Sequence, residues 1–121
     1  MIHPATPQIT AFRLLLLAAV AVISFLAFTP LQVPVTEDLN DKVSHVLAFL
    51  ALALLLDVSF PTKPFGIAKV AVLLGYGLFI EVVQYFLPYR TFSFLDWMAD
   101  GVGLAAYLLV LPALRRLPLH R

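Results

Sequence analysis

Four apolar stretches of about twenty residues each take up most of this chain, and they restrict its possible folds more than any other feature. An α-helix rises about 1.5 Å per residue, so a stretch of that length crosses the apolar core of a bilayer. Only 12% of the 121 residues are charged and 62% are hydrophobic, whereas about 25% of residues in soluble domains are charged. The sequence therefore predicts an all-α integral membrane protein and excludes an ordinary soluble domain.

Loop-forming residues separate the apolar stretches and set the expected ends of the helices. Ser93 and Asp96 fit a capping box, in which a serine and an acidic residue three positions later cap the start of a helix. Gly75, Gly77 and Gly103 are expected at contacts between helices, because small residues let helices approach closely in membranes. We predict one domain over residues 1–121, a four-helix transmembrane bundle with helices at roughly 9–28, 41–59, 65–87 and 94–114.

The distribution of basic residues predicts which side of the membrane each loop faces. With four spans both termini share one side, and six of the eight lysines and arginines lie there, against Lys42 and Arg90 on the other side. The positive-inside rule then predicts that both termini are cytoplasmic. A cleaved signal peptide is a weaker interpretation of the first stretch, because no lysine or arginine cluster precedes Arg13 and no A-x-A site precedes the loop.

Polar and ionisable side chains gather at the predicted outer ends of the second, third and fourth helices. Counted along the helix axis, His45 lies about 7 Å inside its helix end, and Glu81 and Asp100 lie about 10 Å inside theirs. Ionisable groups inside a membrane are costly, so we expect them to turn toward a common interior site. The candidate ligand-binding residues are Asp41, Lys42, His45, Glu81, Gln84, Arg90, Asp96 and Asp100.

Structural roles are open for several of these residues. Asp96 can act as a helix cap, and Lys42 and Arg90 can anchor helices at the interface or bind a headgroup phosphate. Glu81 can lock the second helix to the third by pairing with His45 or Arg90, or it can belong to a functional site. The sequence does not decide between these roles.

Three classes of function are compatible with the cluster. A binding site would use Lys42 and Arg90 for an anion, whereas an enzyme would use His45 as general acid or base, with Glu81 or Asp100 as its partner. No serine lies in a nucleophile motif, and a metal site built from His45, Glu81 and Asp100 is not supported by any local pair such as H-E-x-x-H. Proton or ion transport is disfavoured because charges do not continue across the bilayer.

The sequence predicts no metal, no other cofactor and no nucleic-acid partner. Cysteine is absent, which removes disulfides, thiolate metal sites and cysteine nucleophiles together. The basic residues form no long run, as nucleic-acid binding would favour. The partner that composition does indicate is the membrane lipid.

Two segments, DKVSHVLAF from Asp41 and GLFIEVVQYFLPYRTFSFLDWMADGVG ending at Gly103, closely resemble the VanZ-like family of small bacterial membrane proteins. That pattern contains an Asp-Lys with a following His, a Glu-x-x-Gln, an Arg, and an Asp with a later polar residue and a Gly. Many relatives have Asn at the position of Asp100. The resemblance implies a four-helix protein of the cell envelope, and it implies no established reaction.

Founding members of that family are linked to low-level resistance to teicoplanin, an antibiotic that targets peptidoglycan precursors at the outer face of the membrane. We therefore predict a multi-pass protein of the bacterial cell (inner) membrane whose outward-facing polar pocket binds a lipid-linked peptidoglycan precursor or the glycopeptide antibiotic. The alternative is a membrane-embedded hydrolase or transferase that acts on an envelope lipid through His45 and Glu81.

Overall fold

The computed structural model describes residues 6–29, 39–89, 93–114 and 116, and the side chains of residues 39–41 lie outside that description. Within these ranges the chain forms four helices, α1 (Thr6–Phe28), α2 (Leu39–Ser59), α3 (Ile67–Phe86) and α4 (Phe94–Leu114). Each is long and apolar enough to cross a membrane, which confirms the predicted all-helical, multi-pass architecture. The observed helix ends lie within three residues of the predicted ones.

Successive helices run in opposite directions, so α2 and α4 are parallel to each other. We call the end where α1 begins and α4 ends the terminal end, and the opposite end the far end. The most extensive contact joins α2 to α4, while α1 packs against α2 and α3 and, within the described ranges, does not reach α4. The core therefore lies between α2, α3 and α4, and its buried side chains include Phe49, Leu52 and Tyr107.

None of the residues of α1 is buried. Its side chains are apolar on all sides, as expected for a helix whose outer face contacts lipid. Polar groups of α3 hold it in place: the Tyr76 hydroxyl lies 2.5 Å from Ser24 Oγ and donates to the Val20 carbonyl at 3.2 Å. At the far end, the Tyr89 hydroxyl donates to the Phe28 carbonyl at 2.6 Å, one of the carbonyls that have no partner within a helix.

Glycine allows the close approach of α2 and α4. A Cβ added at Gly103 would lie 2.5 Å from the Val46 carbonyl oxygen and 3.1 Å from the Leu50 nitrogen, so any side chain there would collide with the α2 backbone. A Cβ added at Gly77 would lie 2.6 Å from Asp100 Oδ2. The prediction that these two glycines are packing positions is confirmed. For Gly75 it is wrong, because that glycine faces outward with nothing within 4 Å of an added Cβ.

Candidate functional site

Two neighbouring side-chain contacts, one ion pair and one hydrogen bond, connect α2 to α4 at the far end. Lys42 Nζ donates to Asp96 Oδ1, and His45 Nδ1 lies 2.8 Å from Asp100 Oδ1. Residues three or four apart share a helix face, so Lys42 and His45 of α2 contact Asp96 and Asp100 of α4 as two neighbouring pairs. The other ring nitrogen of the histidine, Nε2, lies 3.5 Å from Asp96 Oδ2. Both aspartates of α4 thus contact the same imidazole.

Glu81 of α3 is connected to these pairs through the N-terminus of α4. Ser93 Oγ accepts the Asp96 N–H at 3.2 Å, which confirms half of the predicted capping box. The other half is replaced, because the Ser93 N–H donates at 3.0 Å to Glu81 Oε1. The Asp96 N–H is therefore part of the helix cap, whereas its carboxylate points to α2 and takes no part in capping.

We use the name acidic cluster for the five side chains that this geometry brings together: Lys42, His45, Glu81, Asp96 and Asp100. Exposure within the acidic cluster is graded. The Lys42 and His45 side chains are 21% and 22% exposed, whereas Glu81 and Asp100 are 0% and 1% exposed. Trp97, whose indole N–H donates to the Leu74 carbonyl at 3.0 Å, lies with Asp100 against Gly77. The acidic cluster is therefore open at its α2 edge and closed beneath.

The Glu81 carboxylate lies at the base of the acidic cluster. Glu81 Oε2 is buried and has no hydrogen-bond partner among the described residues. Ligand atoms from His45, Glu81 and Asp96 all lie within 4.8 Å of one another. Carboxylate and imidazole groups at this spacing can hold a cation or receive the hydrogen-bond donors of a ligand.

A protein-family model described as VanZ/LLP1 matches residues 4–115. This chain belongs to the VanZ/LLP1 family. The match confirms the resemblance drawn from the two far-end segments and extends it over all four helices. Comparison with curated proteins and with solved structures gave no match. Because α2, α3 and α4 all fall within the match, the acidic cluster belongs to the VanZ/LLP1 domain itself.

The remaining predicted ligand-binding residues of this VanZ/LLP1 protein are not part of the described cluster. Gln84 is buried in α3, and its Nε2 donates at 3.0 Å to the carbonyl of Ala27, so its amide group holds α1. Arg90 and the side chain of Asp41 lie outside the described residues. The position of Gln84 in α3 near the far end could be predicted from the sequence, whereas its partner on α1 could not.

A second polar group, at the terminal end, was not among the predicted sites. Lys69 is buried, and its Nζ donates to Asp57 Oδ1 at 2.8 Å and to the Phe60 and Lys63 carbonyls at 3.0 and 2.8 Å. The Tyr107 hydroxyl donates to Asp57 Oδ2 at 2.6 Å. These contacts neutralise the carboxylate and cap the C-terminus of α2. A lysine inside an apolar helix with an aspartate twelve residues earlier was the signal available in the sequence.

Proposed function

We propose that this VanZ/LLP1 protein lies in the bacterial cell (inner) membrane with its far end outward, and that its acidic cluster binds the phosphate-bearing head group of an envelope lipid. The excess of basic residues at the terminal end supports this orientation. With that orientation the acidic cluster lies in the outer leaflet, where lipid-linked peptidoglycan precursors present their polar parts. Such a precursor is the ligand we propose, and interference with glycopeptide antibiotics such as teicoplanin would follow from its binding.

The observation that carries this proposal is the graded exposure of the acidic cluster. Its cationic and imidazole groups are the accessible ones, and Lys42 can reach a phosphate as a flexible point charge. The carboxylates beneath are withdrawn from solvent and hold Lys42 and His45 in position through Asp96 and Asp100. A head group entering from the α2 edge would meet the donors first, and its hydroxyl or amine groups would meet the carboxylate oxygens.

The ion pair between Lys69 and Asp57 at the terminal end has a structural role, and Lys42 can be compared with it. There the Lys69 side chain is 7% exposed, and its Nζ donates to three oxygen atoms of its own chain at 3.0 Å or less. An ammonium group has three protons, so these acceptors account for its donor capacity. Lys42 is three times as exposed, which is the difference expected between a group that binds a ligand and one that fixes helices.

The proposal is tested by native mass spectrometry of the detergent-solubilised full chain with a polyprenyl diphosphate that carries a peptidoglycan precursor, and with phosphatidylcholine for comparison. We expect one precursor molecule to be retained by the wild type and at least tenfold weaker retention by Lys42→Gln. The matched control is Lys63→Gln, which removes an exposed lysine at the terminal end. Equal retention by wild type and Lys42→Gln, or equal retention of both lipids, would refute the proposal.

A second candidate, a hydrolase or transferase acting on an envelope lipid, is favoured by the 2.8 Å contact between His45 Nδ1 and Asp100. A carboxylate on one ring nitrogen fixes the tautomer and orients the other nitrogen as a base, here Nε2. In this mechanism Nε2 would accept a proton from the attacking water or hydroxyl. Incubation with the same precursor, followed by chromatography of the products, tests it: cleavage or transfer lost in His45→Gln is expected, and an unchanged precursor with wild-type protein excludes it.

A further inference from the structure

We propose that His45, Glu81 and Asp96 form a binding site for one divalent transition-metal ion of the Zn²⁺ or Mn²⁺ class. The three ligands come from α2, α3 and α4, so they have no local spacing that a sequence motif could reveal. The sequence predicts no metal. The metal site weighed from the sequence consists of His45, Glu81 and Asp100, whereas the structure groups Asp96 with His45 and Glu81. This inference does not depend on the proposed lipid ligand and is tested with the metal alone.

The spacing of the ligand atoms suits a metal ion. His45 Nε2 and Asp96 Oδ2 are 3.5 Å apart, which is at the outer limit for a hydrogen bond. Zinc bonds to nitrogen and oxygen are about 2.0–2.2 Å long, so two ligands at a tetrahedral angle lie about 3.4 Å from each other. Glu81 completes a group of three ligand atoms that lie within 4.8 Å of one another. Small adjustments of the side-chain torsion angles would bring the three ligand atoms to bonding distance from one ion.

Glu81 supplies an independent indication that something binds here. Its side chain is completely buried, its Oε1 accepts the Ser93 N–H, and its Oε2 has no partner among the described residues. A buried carboxylate oxygen without a hydrogen-bond donor loses its hydration without compensation. A cation bound at Oε2 would satisfy the atom.

Asp100 has the position of an outer-shell partner. Metal-binding histidines generally donate their second ring N–H to a carboxylate, which fixes the ring and leaves the other nitrogen as the ligand. The contact between His45 Nδ1 and Asp100 Oδ1 at 2.8 Å has this form, and it assigns Nε2 to the metal. Lys42 occupies Oδ1 of Asp96, which leaves Oδ2 as the metal ligand.

The charges of the acidic cluster also favour a divalent cation. Its three carboxylates and one ammonium group sum to −2 when Glu81, Asp96 and Asp100 are ionised and His45 is neutral. A net charge inside the bilayer is strongly unfavourable, and one divalent ion would cancel it. An imidazole ligand favours transition metals over Mg²⁺ and Ca²⁺, which prefer sites made of oxygen atoms only. The Irving–Williams order then gives Zn²⁺ a higher affinity than Mn²⁺.

The test uses the full chain purified in detergent with a tag that contains no histidine. After dialysis against trace Zn²⁺, Mn²⁺, Mg²⁺ and Ca²⁺, elemental analysis should give one zinc per chain, with manganese taking its place when zinc is omitted. We expect Glu81→Gln to weaken zinc binding more than 100-fold and Asp100→Asn to weaken it 10- to 100-fold, the range known for outer-shell partners. Lys63→Gln changes an exposed side chain at the terminal end and should bind zinc like the wild type.

Zinc X-ray absorption of the wild type provides a measurement that does not depend on the folding of any variant. The expected spectrum has one imidazole nitrogen and carboxylate oxygens at about 2.0–2.2 Å. The inference is overturned if folded wild-type protein binds no zinc, if Glu81→Gln binds it as tightly as wild type, or if the spectrum lacks an imidazole ligand.

Discussion

Replacing Gly103 by alanine should separate α2 from α4 and open the acidic cluster. The new Cβ would lie 2.5 Å from the Val46 carbonyl oxygen, whereas ordinary contacts begin near 3.4 Å, so the helices must move apart by about 0.9 Å. Overpacking of this kind costs about 1–3 kcal/mol in the free energy of unfolding. His45 is next to Val46 and Asp100 is one turn from Gly103, so a similar shift would stretch their 2.8 Å contact to about 3.7 Å, beyond hydrogen-bond range.

Gly75→Ala is the matched control, because Gly75 lies in mid-helix with open space around an added Cβ. Alanine has the higher helix propensity, so this variant should be unchanged or more stable by up to about 1 kcal/mol. The free energies of unfolding of Gly103→Ala and Gly75→Ala can be measured by denaturant titration in detergent. The fluorescence of Trp97, the single tryptophan, reports the transition. Equal stability of the two variants would refute the argument that Gly103 sets the distance between α2 and α4.

Three further predictions concern the terminal end, the α4 cap and the orientation of the chain. Lys69→Met should lower the free energy of unfolding by about 3–5 kcal/mol because it removes the cationic partner of a buried carboxylate. Tyr107→Phe removes one hydrogen bond to that carboxylate and should lower it by about 1.5–3 kcal/mol. Denaturant titration measures both losses, and a larger loss for Tyr107→Phe would contradict the assigned roles. Ser93→Ala removes the cap of α4 and should cost about 0.5–2 kcal/mol in the same assay, so an unchanged midpoint would show that the cap contributes nothing. Because the chain has no cysteine, Pro88→Cys should react with an impermeant maleimide on intact cells and Lys63→Cys only after permeabilisation, and the reverse pattern would overturn the proposed orientation.

Local chemistry made much of the architecture predictable. The four spans follow from runs of apolar residues, because a helix in lipid satisfies its backbone hydrogen bonds within itself. The cap formed by Ser93 follows from a spacing of three residues. The common level of His45, Glu81 and Asp100 follows from counting along three helices at a constant rise, and the structure brings all three residues into the acidic cluster.

Pairings between helices were not predictable in the same way. Asp96 fits a capping box in the sequence, yet its carboxylate binds Lys42 while Glu81 takes its place on the Ser93 N–H. Gln84 has the spacing of a cluster residue, yet its amide holds the Ala27 carbonyl of α1. Gly75 and Gly77 look alike in the sequence, yet an added Cβ would meet other atoms only at Gly77.

The number of spans, their approximate ends and the common level of His45, Glu81 and Asp100 along their helices could be predicted from residue patterns, because they depend on helix rise and on the transfer of side chains into lipid. Which groups face one another became clear from the packing of the helices. Partner choice depends on how each helix is rotated about its axis and how closely it packs, and those quantities are set by contacts between distant segments, such as Gly103 against Val46. The sequence therefore predicts that the residues of the acidic cluster share a site, whereas two features emerge only from the packed bundle: the grouping of His45, Glu81 and Asp96, and a Glu81 oxygen without a partner among the described residues.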